Sequence, residues 1–126
     1  MKKIYYLKTC STCQRIIKEL NGLTDFEHQN IKEAPITPDQ IDAMQKLAGS
    51  YESLFSRRAM KYKSLGLKDL DLNEADYRNY ILEEYTFLKR PVVIIDNSIF
   101  IGNSKKTVAA IAEKLGISIL LNSNLF

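Results

Sequence analysis

The chain is short of cysteine, histidine and long apolar runs, and each shortage excludes a class of protein. Two cysteines stand alone at Cys10 and Cys13, with only Ser11 and Thr12 between them. A disulfide scaffold spreads its cysteines over distant segments to close large loops, so that class is excluded. One histidine, His28, joins those cysteines, which leaves tetrahedral zinc short of ligands unless carboxylates complete the set. No stretch approaches the roughly 18 continuous apolar residues of a membrane span. The opening Met1-Lys2-Lys3-Ile4-Tyr5-Tyr6-Leu7 is interrupted by Lys8 too soon to be a secretory leader. A formal net charge of +3 demands neither nucleic acid nor anionic lipid. P-loop, G-x-G-x-x-G, internal repeat and low-complexity tract are all missing. What is present, 45% apolar and 26% charged residues over 126 positions, predicts one cytosolic globular domain, 1–126, with no bound cofactor and no metal.

The order of elements predicts an α/β fold. Lys3 to Leu7 is short, apolar and β-prone. Ile16, Ile17 and Leu20 then recur at helical spacing and stop at Asn21-Gly22. Phe26 to Ile31 reads as a second strand, closing a βαβ unit with the cysteines at its helix start. Thr37-Pro38-Asp39-Gln40 carries the elements of a capping box, and Ile41, Met44, Leu47 and Ala48 share one face before Gly49. A further helix is predicted over Tyr51 to about Leu65. Another opens at Asn73, with Tyr77, Tyr80, Ile81, Tyr85 and Leu88 at 3–4 spacing. These make a helical insert of about 37–88. Val92 to Ile95 and Ile99 to Ile101 read as a hairpin about Asp96-Asn97-Ser98, and Ser104 to Leu115 as a last helix. The apolar tail 117–126 is expected to pack on the domain's own helices, with a dimer contact or disorder as the other outcomes.

Cys10-Ser11-Thr12-Cys13 sits where a strand passes into a helix. A thiolate, not a thiol, is the reactive species. The open N–H groups and positive dipole end of a helix start favour that anion. Cys10 is therefore the candidate exposed nucleophile, and Cys13, one turn on, the more buried resolving thiol. A redox pair is preferred to a zinc site and to inert structural cysteines. Pro91, at the head of the most β-prone run, suits a cis-proline facing the cysteines, although a trans proline opening an edge strand is the commoner use. Arg57, Arg58, Lys61 and Lys63 read as a charged helical face before a nucleic-acid patch, and His28 as a solvated or half-buried strand residue.

Four motifs in order carry a resemblance: Cys10-Ser11-Thr12-Cys13, Ser56-Arg57-Arg58 with Tyr62-Lys63-Ser64-Leu65-Gly66-Leu67, Lys89-Arg90-Pro91-Val92-Val93, and Ile101-Gly102. From about Lys3 to Leu115 the chain resembles the ArsC, or arsenate reductase, family, which also contains the Spx transcriptional regulators. The resemblance implies a thioredoxin/glutaredoxin-like four-stranded mixed sheet with a helical insert, in the order β-α-β, helices, β-β-α. It places Cys10 at the nucleophile position, and Arg58 and Arg90, with Pro91, at positions that bind a small oxyanion. Guanidinium forks suit such an anion and would lower a thiolate's pKa. Ile99-Phe100-Ile101-Gly102 lacks the further arginine of the arsenate-reducing members, and the cysteines are paired; both features resemble the Spx branch and the family's reductase-like cousins.

Two functions are expected from this resemblance. One is a thiol-dependent reductase re-reduced by glutathione or by a glutaredoxin- or thioredoxin-type protein. The other is an Spx-like redox switch that binds RNA polymerase through a surface altered by the Cys10–Cys13 disulfide.

Overall fold

The computed structural model describes residues 1–118. In chain order its elements are β1 (Lys2–Tyr6), α1 (Ser11–Glu19), β2 (Glu27–Asn30), α2 (Pro38–Ala48), α3 (Met60–Ser64), α4 (Glu74–Glu83), β3 (Val92–Ile95), β4 (Ser98–Ile101) and α5 (Lys105–Leu115). The chain forms two compact units. The first joins Met1–Asn30 to the stretch from Arg90 onward, and the second is Ile31–Lys89.

In the first unit the strands lie in the order β2-β1-β3-β4. β1 runs parallel to β2 and antiparallel to β3, and β3 is antiparallel to β4. This mixed sheet, with the βαβ and ββα halves the sequence predicts, is thioredoxin-like. Because side chains alternate along a strand, Ile4, Val93 and Ile95 share one face. They are buried there with Ile16 and Leu20 of α1 and Val108, Ile111 and Ala112 of α5. All four residues of β3 are buried, as a strand covered on both faces requires.

Lys3 lies on the other face of β1 and is only 7% exposed. Its register partner across the parallel pair is Glu27, whose carboxylate receives the ammonium at 2.7 Å. The ammonium also lies 4.8 Å from the centre of the Tyr5 ring. A carboxylate and an aromatic face thus replace the water that burial removes.

β1 begins one residue before the predicted Lys3 and ends at Tyr6, and β2 is Glu27–Asn30 within the predicted 26–31. Ser104 caps α5 rather than belonging to it, its hydroxyl accepting the Thr107 N–H at 3.1 Å. Of the tail, Ile117 packs against the first unit's core, and residues 119–126 lie outside the described residues.

The second unit departs from the sequence reading in two places. The capping box read at Thr37 and Gln40 forms, a second joins Asn73 to Asp76, and Gly49 ends α2 in the left-handed region at φ 93°. The single helix predicted over 51–65 is not present, however. A 3-10 turn at Glu52–Leu54 gives way to an extended Phe55, and only Met60–Ser64 is α-helical. The helix predicted to run on to Leu88 stops at Glu83, where Glu84 turns extended and its carboxylate accepts the Thr86 N–H. The reason is shared: Phe55 and Leu88 pair as an antiparallel bridge. Ser56 N–H donates to the Phe87 carbonyl at 2.7 Å, and Lys89 N–H to the Leu54 carbonyl at 2.8 Å. Pairing between residues far apart in sequence has overridden helical spacing.

Asp42 ties this unit together. Its carboxylate accepts from Tyr51 Oη at 2.6 Å and from Arg78 Nε and Nη2 at 2.8 and 3.2 Å. Arg78 first, then Tyr51, holds the carboxyl down at about 2. A depressed carboxyl stabilises the fold above its unfolded value of about 3.9 and stops doing so as pH falls towards its folded value. The melting temperature of Asp42→Asn should therefore fall below wild type at pH 5 to 7, with the gap closing between pH 4 and 2. A gap that does not change over this range would contradict the clamp.

Candidate functional site

The site is built where β1 hands over to α1. After Tyr6 the chain turns, and the Cys10 N–H donates to the Leu7 carbonyl at 3.0 Å. Cys10 is the N-cap of α1, extended at φ −88° and ψ 112°, and its carbonyl accepts the Gln14 N–H at 3.1 Å. Its thiol makes no capping hydrogen bond, so the first-turn amides are not taken up by a neutral cap as they are in α2 or α4. Both cysteines are free thiols, Cys10 partly exposed and Cys13 completely buried.

The two sulfurs are pushed in opposite directions. Partial burial works to raise the Cys10 thiol. The Cys13 N–H, the Cys13 thiol, the Thr12 N–H and the Arg90 charge outweigh it and hold Cys10 below the usual range. Burial raises the Cys13 thiol to about 11, assisted by the neighbouring Cys10 and opposed by the Leu7 backbone and Arg90. One helix start thus holds a sulfur whose ionisation is favoured next to one whose ionisation is opposed.

Arg90 and Pro91 reach this end of the sheet through strand register. Tyr5 pairs with Val92 across the antiparallel β1 and β3, so the two residues before β3 lie beside the end of β1. The Arg90–Pro91 peptide is cis, and the Pro91 carbonyl accepts the Gly102 N–H at 2.9 Å. Gly102 holds φ 94°, a conformation that favours glycine. Cys10, Cys13, Arg90 and Pro91 therefore come together within the first unit.

Arg58 belongs to the second unit. The residue is exposed and its backbone N–H donates to Ser56 Oγ at 3.3 Å. Its neighbour Arg57 is occupied by Glu52 at 2.9 Å and the Tyr77 hydroxyl at 3.0 Å, and Lys61 by Glu84 at 2.9 Å. The basic cluster of the sequence thus serves partly as internal ion pairing. His28 Nε2 lies 2.8 Å from the Leu23 carbonyl, its ring edge-on to Tyr6.

Two residues of the site escape sequence reasoning. Asn30, at the end of β2, accepts the Lys8 N–H on Oδ1 at 3.2 Å, and Gln14 Nε2 donates to the Lys8 carbonyl. Parallel pairing of β1 with β2 is the signal that could have placed Asn30 beside this turn. Among the described residues no group of three or more His, Cys, Asp or Glu is placed to hold a metal ion. No helix among them is long and apolar enough to cross a membrane.

Comparison with known proteins follows the same lines. The family model of the ArsC family matches residues 5–111. Among solved structures, a possible arsenate reductase from Streptococcus mutans UA159 is 27% identical with a TM-score of 0.68, over 83% of this chain and 92% of that one. The arsenate reductase from Vibrio cholerae is 18% identical with a TM-score of 0.74, over 87% and 96%. An arsenate reductase (ArsC) related protein from Brucella melitensis is 21% identical with a TM-score of 0.65, over 86% and 92%. The last two likenesses speak for the fold. Comparison with curated proteins finds no match.

Proposed function

The chain belongs to the ArsC family, and from that premise we propose that it is a thiol-dependent reductase working through the Cys10–Cys13 pair. The observation that carries this reading is the placing of two free thiols at one helix start, Cys10 part-exposed at the N-cap and Cys13 buried one turn on, beside the cis Arg90–Pro91 peptide; the opposed shifts of the two sulfurs agree with it. With a disulfide substrate, Cys10 thiolate attacks one sulfur, the substrate S–S bond breaks, and one half leaves as a thiolate. Cys13 then loses its proton and attacks the Cys10 sulfur. The second half leaves, and the protein retains a Cys10–Cys13 disulfide with two electrons passed on. With arsenate, Cys10 forms an S–As bond as water leaves. Attack by Cys13 on the Cys10 sulfur then breaks that bond and leaves its electron pair on arsenic, now As(III). Arg90, beside the cysteines in the first unit, is the residue we assign to an oxyanion. Two molecules of glutathione, or the dithiol of a thioredoxin- or glutaredoxin-type protein, restore the pair and leave as a disulfide.

Peptide-resolved alkylation with iodoacetamide tests the premise. The Cys10 rate should reach half-maximum below the free-thiol value of about 8.5. Cys13 should stay unmodified through neutral pH. An ordinary Cys10 midpoint, together with capture of RNA polymerase subunits only by the oxidised protein, would move the assignment to a redox-sensing regulator.

A further inference from the structure

The turn that delivers Cys10 to its amides contains two exposed residues, Lys8 and Thr9. The Lys8 peptide groups are gripped on both sides by side chains from different elements. Asn30 of β2 takes the N–H at 3.2 Å, and Gln14 of α1 gives a hydrogen bond to the carbonyl. Cys10 itself is fixed beyond them, by its N–H on the Leu7 carbonyl at 3.0 Å and by its carbonyl on the Gln14 N–H at 3.1 Å. Gln14 therefore holds the turn twice, through its side chain at Lys8 and its backbone at Cys10.

We propose that Gln14 and Asn30 are positioning residues for the nucleophile, strapping the Lys8 peptide so that the Cys10 sulfur is kept over the N–H groups of Thr12 and Cys13. The proposal rests on the reading of Cys10 as the nucleophile. Neither residue touches the sulfur in this account. Each acts through the turn, as an outer layer of hydrogen bonds orients a reactive group elsewhere. The charged and titratable groups acting on Cys10 are the Cys13 thiol of α1 and the Arg90 guanidinium ahead of β3, and both substitutions below leave them in place.

The test is the pH midpoint of Cys10 alkylation by iodoacetamide, read by peptide mass on wild type, Gln14→Met and Asn30→Leu. Gln14 is exposed, and methionine keeps its length and helix propensity while removing the amide, so that variant should remain folded and melt as wild type does. Both variants should shift the midpoint upward by about half a pH unit, seen as roughly threefold slower alkylation below it. A purely structural role would lower the melting temperature and leave the midpoint where it was. A depressed wild-type midpoint that Gln14→Met leaves unchanged overturns the positioning proposal alone. An ordinary midpoint in the wild type overturns the functional reading and this proposal with it.

Discussion

Cys10→Ser should abolish reduction of both a model disulfide and arsenate, a loss on the order of a thousandfold or more. An alcohol does not ionise near neutral pH, and oxygen cannot take the place of sulfur in disulfide exchange. The position makes this a clean experiment, because Cys10 is the N-cap of α1 and its thiol makes no capping hydrogen bond. Serine is among the favoured N-caps, so the variant should melt no lower than wild type while its activity disappears. Cys13→Ser should behave differently. Its nucleophile is intact, so the first bond forms and then waits: one substrate adduct should accumulate on Cys10, visible by intact mass and cleared by added dithiol. Retention of most activity by Cys10→Ser, or no adduct on Cys13→Ser, would remove the two-sulfur mechanism. Arg90 divides the two substrates further. Its charge favours anionic sulfur at both cysteines, so Arg90→Ala should slow both reactions, and the arsenate reaction more if it also binds the oxyanion.

Much of this arrangement can be read before any coordinates exist, and the reason is locality. Thr37 with Gln40, Asn73 with Asp76 and Gly49 mark their helix ends because a cap needs partners only three or four residues away. Cys10 and Cys13 can be placed at one helix start for the same reason, being three residues apart. Pro91 is suggested by its place at the head of the β-prone run and by the βαβ and ββα order, and Arg90 by the Lys89-Arg90-Pro91-Val92-Val93 motif of the resemblance. The reading fails where distant backbone decides. Phe55, Tyr85 and Leu88 have residue types that a helical face would accept, and their spacing fits one. Yet Phe55 is extended because Leu88 pairs with it, 33 positions along. Gln14 and Asn30 fail to announce themselves for a related cause. Their partner is the Lys8 peptide, and a backbone group leaves no residue type in the sequence to match against.

The same distant pairing sets the largest stability effect expected in the second unit. Phe55 has no exposed surface. Its ring stacks on Phe87 at 5.0 Å and 20°, meets Tyr77 at 5.0 Å, and lies edge-on to Tyr62 at 6.0 Å. Truncation removes the buried ring and leaves a cavity among three aromatic neighbours, two of which are themselves held elsewhere: Tyr77 by Arg57, Phe87 through its carbonyl by Ser56. Neighbours fixed in this way cannot close the space, and that is the case in which cavity costs are greatest. Phe55→Ala should therefore destabilise the protein by about 3–5 kcal/mol in urea unfolding, the usual range for Phe→Ala in a core. Met60→Ala is the control from the same stretch. Met60 is 88% exposed, and its loss should change stability by no more than about 0.5 kcal/mol. If the two variants unfold within about 1 kcal/mol of each other, the aromatic cluster is not what holds the 51–59 segment out of the helix its spacing suggests.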